Sequence, residues 1–173
     1  MRNEEVLMRA LNAWAITACF LFGCGMASNT EVHLLPAGFQ GDVFIVPGIA
    51  AGVSPQRENG AAVFNIPADG ILVTQDHLST EWNFSQFYYV RPSGERQRLE
   101  YEPSSIPDTS SNRANKAPVV WFKRTGTISG IDLPCSVNFV QYYVGSRAHL
   151  LSRIPDSDEL RFRVFLKKRH LCE

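Results

Sequence analysis

A chain of 173 residues with 17 basic and 17 acidic side chains has no formal net charge, so overall charge selects neither a nucleic-acid polyanion nor an anionic surface as partner. Its 45% hydrophobic and 20% charged content is ordinary for a globular protein, and the length suits one domain with its own core. Ten Pro and 12 Gly, spread along the chain, imply many turns and a β-rich domain.

The first element is an apolar run from Ala10 to Phe22, interrupted by Asn12 and Thr17 and preceded by Arg9. This order of charge and then apolar residues is that of an export signal. Glu4 and Glu5 are foreign to such a leader, which makes Met8 an alternative start. The run is too short to cross a bilayer, which takes about 20 apolar residues. It closes on Leu21-Phe22-Gly23-Cys24, and this ending resembles the lipobox of bacterial lipoproteins. The resemblance implies thioether lipidation of Cys24, cleavage before it, and a membrane partner reached through the lipid. Residues 1–23 are then a signal peptide, and 24–31, small and polar, a tether. Cys24 is not followed by Asp, which by the same resemblance implies the periplasmic side of an outer membrane in a two-membrane cell, or otherwise the cell surface.

From Val32 the pattern is strand and turn. Val32–Leu35 runs into Pro36-Ala37-Gly38, Asp42–Val46 ends at Pro47-Gly48, and Ala61–Ile66 and Ile71–Thr74 flank Pro67-Ala68-Asp69-Gly70. Pro presets φ and Gly tolerates positive φ, so residues 67–70 predict a tight turn, with Pro67 at its second position. The segments Leu35-Pro36-Ala37-Gly38-Phe39-Gln40-Gly41 and Phe64 to Leu72 (FNIPADGIL), with Phe87–Val90, Gly94-Glu95-Arg96 and Tyr142–Ser146 (YYVGS), resemble a family of uncharacterised bacterial lipoproteins. That family shares P-x-G-aromatic-x-G, I-P-x-x-G and aromatic-V-G motifs, and the likeness spans roughly residues 34–152. It implies a lipid-anchored extracytoplasmic domain and brings no activity with it.

Gln75–Ser85 predicts a polar surface loop with Trp82 folded onto the body. Phe84–Val90, a turn at Arg91–Gly94 and the alternating Arg96–Tyr101 predict a hairpin. Residues 102–118 hold too little apolar bulk to offset their ordering entropy and predict a mobile loop, functional or simply tolerated. Val119–Phe122 reads as a buried strand, Thr125–Asp132 as a turn or short strand with a bend, and Ser136–Val144 as a central strand apolar on both faces. Ser146 can cap a short helix near residues 147–153, ended by Pro155. Asp156, Asp158 and Glu159 read as a solvated turn, and Leu160–Leu166 as a last strand, with Phe162, Val164 and Leu166 on one face.

The search for chemistry yields little. Gly126–Gly130 (GTISG) misses the G-x-S-x-G spacing by one residue, and no phosphate-cradling Gly-rich motif occurs. His33, His77, His149 and His170 stand apart, without the close ligand spacing of a zinc site, so no metal or other cofactor is expected. Asp156–Glu159 lacks the loop of a calcium site. Cys135 and Cys172 either bridge, as an oxidising compartment allows, or remain separate thiols. Lys167–Arg169 can meet lipid headgroups or acidic polymers, or be simply solvated. The expected architecture is an all-β two-layer sandwich, Ig-like or transthyretin-like, of seven to nine strands with one short helix; a small barrel is the alternative. The expected role is non-enzymatic: an envelope module that binds a protein or glycan, or is structural. The alternative is an envelope hydrolase using His77 or His149 with a carboxylate.

Overall fold

The computed structural model describes residues 30–78, 85–103, 117–133, 135–152, 155–169 and 171. The expected leader with Cys24, the segment 79–84 with Trp82, most of the expected loop at 102–118, His170 and Cys172 lie outside the described residues.

Nine strands are described: β1 (Glu31–Pro36), β2 (Gly41–Val46), β3 (Gln56–Glu58), β4 (Ala61–Asn65), β5 (Ile71–Val73), β6 (Ser85–Val90), β7 (Arg96–Glu102), β8 (Val119–Ile128) and β9 (Val137–Gly145). They form one mixed sheet in the order β3-β4-β1-β6-β7-β8-β9-β2-β5. The sheet doubles over at β7, which leaves β6 after Phe87↔Leu99 and pairs in parallel with β8 through Glu100–Glu102. Inward side chains of both halves then meet in one core, including Leu35, Phe64 and Phe87 from one half and Val43, Val120 and Tyr142 from the other. The two-layer β-sandwich expected from the sequence is present. The far edges are also joined, because Val53 bridges to Thr74 beside β5, and the chain continues directly into β3 beside β4. Arg57 and Asp76 close that seam with a 2.8 Å ion pair.

The expected hairpin at 85–102 is formed by β6 and β7, with Gly94 N–H donating to Arg91 O across its turn. The turn at 67–70 is also present, with Gly70 N–H donating to Pro67 O and Gly70 at φ 74°. Pro67 is its first residue rather than its second, and the strands it joins do not pair: β4 neighbours β1, whereas β5 lies beside β2 in the other half. Residues 119–122 and 125–128, read separately, are one strand with a bulge between Trp121 and Arg124. Glu31, placed in the tether by sequence, opens β1 and is buried.

Two helices follow β9. Helix α1 (Arg147–Ser152) begins as expected, Ser146 Oγ accepting from His149 N–H at 3.2 Å. The last predicted strand is instead helix α2 (Pro155–Arg169). Alternation of Phe162, Val164 and Leu166 suggested a pleat, yet a helical turn brings Phe162 and Leu166 to the same face with Phe165 beside them, and Val164 is left exposed. The outer face of β2, β8 and β9 offers Phe44, Val46, Ile128 and Val137 to that stripe, and Phe162 stacks on Phe44 at 4.4 Å. Pro155 starts this helix rather than ending the previous one, as its fixed φ and missing N–H allow at a first position. Asp158 and Glu159 near the start and Lys167–Arg169 at the end match the helix dipole.

Candidate functional site

The interior of the sandwich is apolar at one end and ionic at the other. On β1 the pleat sends Glu31, His33 and Leu35 inward, and Val32 and Leu34 to the outer face. Opposite them, strict alternation along β8 would put Lys123 outside with Trp121. The bulge supplies one extra residue, with Phe122 at φ 29° packed outward beside Trp121, and so turns Lys123 into the core. Lys123 Nζ donates to Glu31 Oε2 at 2.7 Å and to Ser85 Oγ at 2.8 Å, with both charged side chains at most 5% exposed.

His33 extends the network. It is fully buried, with its ring centroid 4.8 Å from Phe87 and 5.4 Å from Tyr142. Its Nε2 lies 3.4 Å from Glu31 Oε2 and its Nδ1 3.2 Å from Tyr142 Oη. Burial lowers the His33 pKa, against the pull of the Glu31 carboxylate, so the ring is neutral near pH 7. A proton on Nε2 then serves Glu31, and Nδ1 accepts from the Tyr142 hydroxyl. Burial pushes Tyr142 well above its ordinary value, with the Glu31 charge adding to it. For Glu31 itself burial raises the pKa, but the hydrogen bond with His33 and the charge of Lys123 outweigh it and hold the carboxyl at about 2. The result is a buried ion pair between the two half-sheets with hydrogen-bond partners on both sides.

Two cavities flank this core. Where β7 leaves β6, a groove of 510 Å³ opens beside Ser85, Phe87, Arg98 and Tyr101. Between the outer face of β8 and β9 and helix α2 lies a 260 Å³ pocket lined by Phe44, Phe139, Phe162, Arg124 and Gln141. There Arg124 donates to Gln141 Oε1 at 2.7 and 2.9 Å, and Gln141 Nε2 donates to buried Asp42 at 2.6 Å.

The residues singled out by sequence do not converge. His77 is exposed, its ring edge lying against Gly48, and neighbouring Asp76 is paired with Arg57. His149 is exposed on α1, 5.9 Å from the Tyr143 ring. Among the described residues neither histidine is hydrogen-bonded to a carboxylate, and no group of three metal-ligating side chains is found. Cys135 is disulfide-bonded, and its partner sulfur lies outside the described residues. The Glu31–His33–Lys123–Ser85 network was missed. Half of it was readable, since Glu31 and His33 at strand spacing share a face, but the bulge that brings in Lys123 has no signature in the sequence.

Several of the segments that carry the sequence resemblance meet at the pole opposite Thr30: Gly41 pairs with Val144, and a Cβ on Gly70 would lie 2.9 Å from the Phe39 ring. No curated protein matches the chain. A crystal structure named "Putative Lipoprotein from Bacillus anthracis" has a similar fold, with a TM-score of 0.50 and 18% identity over 69% of this chain and 71% of that one. Residues 27–149, most of the chain, match the family of unknown function DUF6843, and the chain belongs to that family.

Proposed function

We propose that the chain is a lipid-anchored cell-envelope protein, fastened through Cys24, whose β-sandwich is a non-enzymatic binding or structural module. The observation that carries this reading is Leu21-Phe22-Gly23-Cys24 at the end of an apolar run, only seven residues before the strand that opens the fold. The lipoprotein name of the structure with a similar fold supports it. Among the described residues no helix is long and apolar enough to cross a membrane.

The non-enzymatic part rests on how the charged groups are used. Lys123 lies 2.8 Å from Ser85 Oγ but is held at 2.7 Å in an ion pair with Glu31, so the lysine serves the carboxylate rather than the serine. His77 and His149 face solvent, away from this cluster. The Cys135 disulfide fits an oxidising compartment, and Cys172 is the partner we assign to it.

Intact mass spectrometry of the protein extracted from its native membrane, with and without reduction, tests the reading. Expected are a mature chain beginning at an acylated Cys24, and a gain of two hydrogens on reduction located by peptide mapping to Cys135 and Cys172. A soluble chain with residues 1–23 intact and Cys24 unmodified would overturn it.

A further inference from the structure

We infer that the pole carrying the β8–β9 hairpin tip rests on an anionic lipid surface, with Ile131 entering the interface and the basic end of α2 meeting the headgroups. This inference rests on the anchored reading above and adds a face and a lipid chemistry to it.

Geometry sets the pole. Chain directions follow from the pairings: β1 runs parallel to β6, β6 antiparallel to β7, and β7 parallel to β8, so β8 runs toward the pole from which β1 starts. Lys123 is level with Glu31 because they touch, and Ile128 lies five residues further along β8. At about 3.3 Å per residue the hairpin therefore reaches about 16 Å beyond the point where the chain enters the fold. Six residue steps separate Cys24 from Thr30, and fully extended they span at most about 20 Å. With the tether extended along the strand direction, a lipid on Cys24 therefore lets the hairpin tip come within a few ångströms of the bilayer.

The chemistry of the tip fits that contact. Ile131 is fully exposed there, the most exposed large apolar side chain among the described residues. Helix α2 runs down to the same place: Arg161 near its start donates to Asp42 O, whereas Lys167 near its end pairs with Asp132 of the tip at 2.9 Å. Asp132 is further neutralised by Arg163 at 3.4 Å. Lys168 and Arg169 are exposed and pair with no described carboxylate. A chain with balanced overall charge therefore carries, among the described residues, a basic spot without a carboxylate partner beside an exposed isoleucine at its anchored pole, the combination that favours an anionic interface.

Amide hydrogen exchange tests this on the full protein extracted from membranes and reconstituted into nanodiscs of phosphatidylcholine alone or with phosphatidylglycerol. Amides of residues 129–133 and 166–169 are expected to exchange on the order of tenfold more slowly in the anionic discs. Residues 147–152, at the opposite pole, should exchange equally in both. The variant K168E/R169E should lose the difference, and I131S should reduce it, with unchanged thermal midpoints. Equal exchange in the two lipids, with Cys24 acylated by mass in the same sample, overturns this inference alone. An unacylated Cys24 overturns the anchor and this inference with it. Equal slowing by soluble polyphosphate in neutral discs would assign the site to a free polyanion and overturn the lipid assignment.

Discussion

Replacing Lys123 with Met takes the cation away from the buried Glu31 carboxylate, whose hydrogen bonds with His33 and Ser85 stay in place. A carboxyl held at about 2 instead of 4.5 contributes about 3 kcal/mol to folding at neutral pH. Removing one member of such a buried pair costs about 3 to 5 kcal/mol, because the remaining charge is uncompensated. With a urea dependence of about 2 kcal/mol per molar for a domain of this size, the unfolding midpoint of K123M should fall by about 2 M at pH 7. The double variant E31Q/K123M removes both charges and keeps an acceptor for His33, and should regain most of that loss. The pH dependence follows from the depressed carboxyl: its contribution is complete above 4.5 and disappears as pH falls toward 2, so the gap between wild type and K123M should narrow across that window. Urea titrations followed by far-UV circular dichroism at pH 7, 4 and 2.5 measure all three quantities. A K123M cost below about 1 kcal/mol, or a double variant no more stable than K123M, would refute the claim that this ion pair holds the half-sheets together.

Three further outcomes are expected. His33 is neutral when folded and takes a proton when unfolded, so wild-type stability should decline as pH falls below 6.5, and H33Q should flatten the decline between 6.5 and 4.5 in the same titrations. Gly38 and Gly70 both adopt positive φ, but a Cβ on Gly38 meets open space, whereas one on Gly70 would lie 2.7 Å from Asp42 O. G38A should therefore cost about 1 kcal/mol, and G70A clearly more, as shifts in thermal midpoint. Truncating Phe162, fully buried against Phe44 and Phe139, should cost about 3 to 5 kcal/mol and speed amide exchange throughout α2.

Most of the strands were legible because half-buried strands advertise a period of two, and Pro and Gly mark where they stop. The hairpin of β6 and β7, the turn at 67–70 and the Ser146 cap are all decided within a few residues, where turn and cap chemistry act. The apolar run ending at Cys24 is likewise a local pattern. What joined those pieces was not local. Whether Phe162, Val164 and Leu166 belong to a pleat or a helix depends on the surface waiting for them, and Phe44, which stacks on Phe162, lies more than a hundred residues away.

The sequence alone determined most of the strands and the tight turns between them, because each depends on the conformational preferences of neighbouring residues. Only the tertiary structure decided that strands joined by the 67–70 turn part to opposite halves, that β7 carries the sheet from one layer to the other, and that a bulge at Phe122 turns Lys123 inward to Glu31. These depend on which distant groups can lower their energy together: a buried lysine is tolerable beside a carboxylate, and the His33 hydrogen bond together with the lysine holds that carboxylate ionised.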